Sequence, residues 1–410
     1  MDTLHNTTSS IEDTLAKAMS IKGKHGITRL ADITNFSRID LPVWIGIRPN
    51  AKCLSQSAGK GLTSESSMLS ALMEGIEVSY AENVETRDAI LANARIDVVN
   101  GCECIDIDDY PTRQMVKAKD ELRWIPIEKL DSKNETVYAP YEILSLDFTR
   151  HRNEGPGPKK MITTSNGVAS GGNITEATVS ALLEVVERHS ITVKMRMGKQ
   201  YRKIDLSEYE SIHINNVLSR IKKGGGNVML FDSTVVEGIY TVEAIQWSDD
   251  NSIPITHGMG ASLSLETAIL RAILEANQAS TIMLSGSRDD MTKSMYTTVN
   301  DSEIMIKKLN SMISTIWSPK QNQNIQMKPQ EELEKIKEHL KRYNKQPIYR
   351  HIFSKPDDPI AAVKILIPKM EGYHMNGYRP VSEVGKELER SKNREINDTA
   401  GVDLAAGGGG

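Results

Sequence analysis

Cysteine is scarce in this chain: Cys53, Cys102 and Cys104 are all that its 410 residues contain. That is too few for a disulfide framework. No apolar run approaches the ~18 residues that a bilayer-spanning helix needs. The opening stretch, MDTLHNTTSSIEDTL, lacks the basic-then-apolar order of a secretory signal. An excess of one charge is missing as well, with 50 Lys and Arg against 54 Asp and Glu for a net of −4, so nothing favours nucleic acid as a partner. The nine histidines form no His-x-x-x-His pair, which argues against a His-built metal site. What remains is 39% hydrophobic and 25% charged, with a mean hydropathy of −0.38. That describes a soluble, cytoplasmic protein with core enough for one large domain or two.

Cys102 and Cys104 form a Cys-x-Cys in GCECID. No further ligand is spaced to complete a zinc site, so the pair reads as small apolar residues on a strand or loop. The β-branched and aromatic run LPVWIGIRP (41–49) predicts a strand, as do LRWIPIEKL and ETVYAPYEIL within 122–144. HRNEGPGPKK (151–160) is dense in Gly and Pro and predicts a loop. The segment 222–247 reads as turn, strand, turn, strand, and PIAAVKILIPKME (359–371) as a buried strand. KPQEELEKIKEHLKRY (328–343) predicts an exposed helix, with Pro at its start, acids early and bases late. The last residues, 386–410, are charged and then Gly-rich; they read as a flexible tail after a unit spanning 1–385.

Against this background one pattern recurs: MLSALMEGIEVSY (68–80), TVSALLEVVERHS (178–190) and, more loosely, ILRAILEANQAST (269–281). Each comes after a Gly-rich stretch that reads as a turn with Ser, Thr or Asn caps. In the second helix Val179, Leu182, Leu183 and Val186 form a core-facing stripe. At ~100° per residue, Glu176, Ser180, Glu184 and Glu187 share a band beside it. The first helix sets Ser70, Glu74 and Glu77 beside Leu69, Leu72, Met73 and Ile76 in the same way. The copies lie too far apart for a solenoid repeat and point to one site assembled from several helices.

Any one of these helices alone would read as amphipathic with glutamates at its waterline. Glu184 and Arg188, or Arg271 and Glu275, would then be ordinary i, i+4 ion pairs. Glu74, Glu77 and Glu187 have no Lys or Arg at i±4, however, and crowded carboxylates need a cation. Hard oxygen ligands suit Mg²⁺, whose shell is completed by water and phosphate oxygens. Arg188 and Arg271 would bind such phosphates. No Walker A spacing and no kinase Gly-rich loop is present, so a nucleotide site here is of another kind.

These motifs resemble the YcaO family of ATP-dependent peptide-backbone modifying enzymes, from about Gly26 to Pro380. The carriers are GKG (59–61) with SALMEGIE, SNGVASGG with EATVSALLEVVER, RAILEANQAS with SGSRDD (285–290), and ILIPKMEGY, where Lys369 and Met370 replace the usual Gly-Leu. The resemblance implies an α/β (α+β) fold with helices packed between β-sheets around a Mg-ATP site. It implies Glu74, Glu77, Glu184, Glu187 and Glu275 as metal ligands. Ser70, Lys60, Arg188, Arg271, Ser10 and Glu176 would contact nucleotide, although Thr7 replaces the basic residue that relatives carry near Ser10. Glu74, Glu187 and Arg188 would act in catalysis. The implied chemistry is O-phosphorylation of a backbone amide in a ribosomally made peptide or protein. A side-chain nucleophile then gives an azoline, sulfide a thioamide, and an amine an amidine. ITRLADITNFSRIDLPVWIGIRPN is similar to the subgroup that works beside a TfuA protein in thioamide formation, which makes the thioamide the expected product. A separate TfuA-like or E1-like partner is expected, and self-association into a homodimer is left open. A non-catalytic ATP-binding adaptor is the contrasting class.

Overall fold

The computed structural model describes residues 7–112, 115–132, 135–149, 161–197, 201–288, 291, 302–320, 327–372 and 378–391. The predicted loop 151–160 and the end of the tail, 392–410, lie outside them. A helix over 383–391 runs across the start of that tail.

Three larger sheets organise the described residues. The first joins β1 (Arg29–Asp32), β2 (Val43–Ile47) and β3 (Gln56–Lys60) in antiparallel order. The second runs β13 (Thr256–Ser262), β12 (Tyr240–Ser248), β11 (Gly226–Asp232), β10 (Tyr201–Ile204) and β14 (Ile313–Trp317). All its pairings are antiparallel except that of β10 with β14. The third runs β4 (Ile90–Asn93), β7 (Glu121–Lys129), β15 (Tyr349–Ile352), β16 (Ala361–Leu366) and β9 (Val168–Gly171), with β8 (Thr136–Pro140) also on β7. A small hairpin of β5 (Val98–Val99) and β6 (Cys102–Glu103) places the cysteine pair, half-buried, at a strand edge.

The recurring helices are α2 (Ser64–Glu82), α4 (Ile174–Arg196) and α6 (Leu265–Ser285); α1 (Ile11–Ile21) precedes them. Between and after them come α3 (Tyr141–Leu144), α5 (Ile212–Lys223), α7 (Ser302–Ser311) and α8 (Pro329–Tyr343). Thr63, Asn173 and Ser264 cap α2, α4 and α6 through side-chain oxygens that accept from backbone N–H groups of the first turn.

The Gly-rich stretches before these helices are mainly strand, with a turn kept at 166–167. The strands are β3, β9 and β13, and each lies against the helix that comes after it. Gly, Ala and Ser fill them because the helix backbone passes too close for a side chain. A Cβ on Gly59 would sit 2.1 Å from Ser67 O, and one on Gly258 would sit 2.2 Å from Ala272 O. The ETVYAPYEIL stretch also departs from expectation: after β8 it turns into the short helix α3.

Each of the three helices touches a second sheet as well. α2 reaches β9, α4 reaches β12 and β13, and α6 reaches β3, so the strand–helix units close in a cycle. Their apolar sides are buried as the spacing requires. Val179, Leu182, Leu183 and Val186 join β9, β16 and α8 in one core, while Leu72 and Ile76 pack on α1. α8 is amphipathic and not simply exposed as expected: Leu333, Ile336 and Leu340 are buried, and the Arg342–Glu338 pair is on the exposed side. β16 is buried throughout.

Candidate functional site

The polar sides of α2, α4 and α6 meet at the centre of this cycle. Glu74 Oε2 accepts from Ala58 N on β3 at 2.8 Å. Glu77 Oε2 accepts from Ser170 N (3.0 Å) and Ser170 Oγ (3.2 Å) on β9, tying α2 to the next unit. Glu275 of α6 is paired with Lys60 of β3. Thus Glu275 does not form the i, i+4 pair with Arg271 that α6 alone would suggest; Arg271 Nη1 instead donates to Ala261 O at 3.2 Å. Nor is Glu184–Arg188 an ordinary surface pair. Arg188 Nε stands 3.9 Å from both Glu184 Oε1 and Glu187 Oε1, and the three side chains are only 27%, 25% and 11% exposed. One guanidinium is shared by two carboxylates.

The electrostatics reflect crowding. Burial pushes the Glu74 carboxyl above its ordinary range, and Glu275 adds to it, while Lys60 and Arg288 oppose. Glu77 is driven well above the carboxylate range by burial, then by repulsion from Glu74 and Glu184. Glu184 rises to about 7, again chiefly through burial. Burial and the Glu275 charge raise Glu187. Glu275 alone goes down, because Lys60 and Arg188 outweigh its burial. Four carboxyls with raised pKa values in one place are poorly compensated by the protein's own cations.

That donor set fits Mg²⁺ bound together with a polyphosphate. Among the described residues, no three His, Cys, Asp or Glu side chains close a metal cage by themselves. Mg²⁺ does not need one, since it is commonly held by one or two carboxylates and completes its shell with phosphate oxygens and water. Carboxylates spread over three helices suit ions that sit between protein and nucleotide.

The remaining predicted residues lie around this centre and at the start of the chain. Ser70 is half-buried one turn before Glu74. Ser10 caps α1, accepting from Asp13 N at 3.1 Å. Glu176 accepts from Thr8 N, Thr8 Oγ1, Gly172 N and Asn173 Nδ2, all within 3.0 Å. As placed, it ties the N-terminal segment to the start of α4.

Three residues escaped the sequence reading. Lys364, in the middle of buried β16, is 1% exposed and interacts with Glu184; a lone Lys inside AAVKIL was the only signal. Arg288 lies in the SGSRDD motif and acts on Glu74. His257 on β13 bonds Glu243 Oε2 at 2.8 Å and interacts with Glu275 and Arg188; it carried no pattern.

Comparison with known proteins agrees with this geometry. The family profile described as YcaO cyclodehydratase, ATP- and Mg²⁺-binding, matches residues 58–371. The chain belongs to the YcaO family. A Rhizobium leguminosarum bv. trifolii protein named "Uncharacterized protein in tfuA 3'region" is 31% identical over 68% of this chain and 68% of its own length. The structure of YcaO from Methanopyrus kandleri bound with AMPPCP and Mg²⁺ superposes with a TM-score of 0.69 at 20% identity, over 90% of this chain and 93% of that one. A heterocyclase in complex with substrate and cofactor superposes with a TM-score of 0.70 at 19% identity, over 93% of this chain and 55% of that one. The mixed α+β fold with helices between sheets is therefore the YcaO fold, and ATP with Mg²⁺ is its cofactor pair. No helix among the described residues is long and apolar enough to cross a membrane.

Proposed function

We propose that the chain uses Mg-ATP to activate a backbone amide in a ribosomally made peptide or protein and converts it to a thioamide with external sulfide. The observation that carries the ATP step is the cluster of crowded carboxylates, Glu74, Glu77, Glu184 and Glu187, from two helices beside Glu275 of a third. The name of the Rhizobium relative favours sulfide as the nucleophile and a TfuA-like protein as the partner.

In this reading Glu74, Glu77, Glu184, Glu187 and Glu275 hold the metal–phosphate unit. Ser70, Lys60, Arg188 and Arg271 orient the nucleotide. Bound Mg²⁺ supplies charge against the phosphoryl group in transfer. Hydrosulfide adds to the carbonyl carbon, and the resulting oxyanion displaces ADP from the γ-phosphorus. Phosphate then leaves with the former carbonyl oxygen while the S–H proton is lost, giving C=S, ADP and phosphate. Glu74, Glu187 and Arg188 would act on the phosphoryl group in transfer, the unit spanning 1–385 would carry the reaction, and the setting would be cytoplasmic.

The test is mass spectrometry of peptide incubated with ATP, Mg²⁺ and partner, with and without sulfide. A thioamide adds the mass of sulfur for oxygen, and does so in a substrate without Cys, Ser or Thr. The heterocyclase likeness favours azoline formation as the second reading. That reading predicts water loss without sulfide, and such a result would overturn the product proposed here.

A further inference from the structure

A cavity of about 50 Å³ lies beside the carboxylate site, between β16, α4 and the loop that precedes β9. Its wall is mostly apolar, with Ile143, Ile162, Val185 and Met370 among its residues, and Tyr110, Asn166 and Lys364 interrupt it. The loop is fixed in place, because Ile365 N donates to Gly167 O at 2.8 Å and Lys364 Nζ donates to Thr164 O at 2.5 Å. Lys364 also interacts with Glu184, so the cavity adjoins the carboxylate that precedes Val185 of its wall.

Two polar atoms of the wall are buried without a hydrogen-bond partner among the described residues: Tyr110 Oη and Asn166 Oδ1. Tyr110 is 7% exposed. Leaving such a group unpaired costs about 1–3 kcal/mol, which calls for an occupant. The Tyr110 phenol, pushed far above its ordinary pKa by burial, stays a donor. The Lys364 amine carries further donor hydrogens, whereas the unpaired Asn166 Oδ1 is an acceptor and calls for a hydrogen on the occupant. Size narrows the choice. A water needs roughly 10–15 Å³ on this measure, so the cavity has room for a few small-molecule atoms and none for a nucleotide.

We infer that this cavity is the binding subsite for hydrosulfide, a small and soft monoanion whose sulfur accepts from Tyr110 and Lys364 and whose S–H hydrogen faces Asn166 Oδ1. The inference rests on the thioamide reading. An apolar wall with a few donors suits a weakly hydrated anion better than phosphate, whose oxygens need many more partners.

The test uses full-length protein with peptide, partner, Mg-ATP and sodium hydrosulfide, in wild type, Tyr110→Phe and Asn166→Ala. Tyr110→Phe removes one oxygen from an otherwise apolar contact and should fold. Both variants should raise the KM for hydrosulfide roughly 10- to 100-fold, as loss of one hydrogen bond to a charged group does, while the KM for ATP stays put. Sodium bromide, a close match in size and charge, should compete with hydrosulfide and not with ATP. In bromide-soaked crystals it should give an anomalous peak in the cavity. An unchanged hydrosulfide KM, or a cavity holding only water, overturns the inference. If wild type instead forms azoline without sulfide, the proposed function fails and the hydrosulfide assignment falls with it. That case is recognisable because no product depends on sulfide, whatever bromide does.

Discussion

Glu184 is a carboxylate ringed by protein and by other carboxylates, and its charge is costly until a cation arrives. Its pKa is raised to about 7 from an ordinary 4.5, chiefly by burial. A raised folded-state value means that the metal-free protein gains from this group fully below pH 4.5 and loses the gain as pH rises through 7. Metal-free wild type should therefore lose thermal stability, relative to Glu184→Gln, as pH goes from 4.5 to 8, and Mg²⁺ with AMPPCP should remove the difference; parallel melting curves would reveal a flat difference if the crowding were absent. Glu74→Gln or Glu187→Gln should cut ATP turnover by ~100-fold or more, as removal of one preorganised electrostatic group does. The melting temperature without metal should stay level or rise. Full turnover in either variant would remove these residues from the site. The glutamates were legible because their spacing recurs. Lys60 as the partner of Glu275 was not, since a pairing between β3 and α6 leaves no local trace, and Lys364 and Arg288 are single charges without a period.

At the scale of elements, the strand–helix pair is the repeated device, and the sequence disguised half of it. Periodicity revealed α2, α4 and α6, with capping residues at their starts. β3, β9 and β13 read as turns because Gly and Ser usually mark turns, whereas here they admit a helix backbone. Gly59→Ala tests that close approach. Its methyl would meet the backbone of Ser67 and Ala71 on α2, where nothing can swing aside. The variant should lose about 1–3 kcal/mol or more of stability, measured by denaturant unfolding. It should also weaken nucleotide binding, because Glu74 and Lys60 ride on the displaced pair. An unperturbed midpoint would show that the helix lies farther off. Thr63→Ala removes only the cap of α2 and should cost about 1 kcal/mol, with little effect on nucleotide affinity.

At the scale of the whole molecule, the three units close a cycle in which each helix bridges its own sheet and the next. The site exists only in the assembled fold. No linear stretch could show which glutamates meet, although the three copies signalled that they would. The family assignment and the cofactor pair rest on the match over 58–371 and on the shared fold. A partner-dependent rate is expected: adding a TfuA-like protein should raise peptide conversion well above that of the chain alone. Common to thioamide and azoline formation, and foreign to an adaptor, is the transfer of the amide oxygen to phosphate. A peptide labelled with ¹⁸O at its backbone carbonyls, incubated with ATP, Mg²⁺, partner and sulfide, tests that transfer most directly. The account predicts ¹⁸O in the released inorganic phosphate, one atom per modified amide. Modified peptide accompanied by unlabelled phosphate would contradict it.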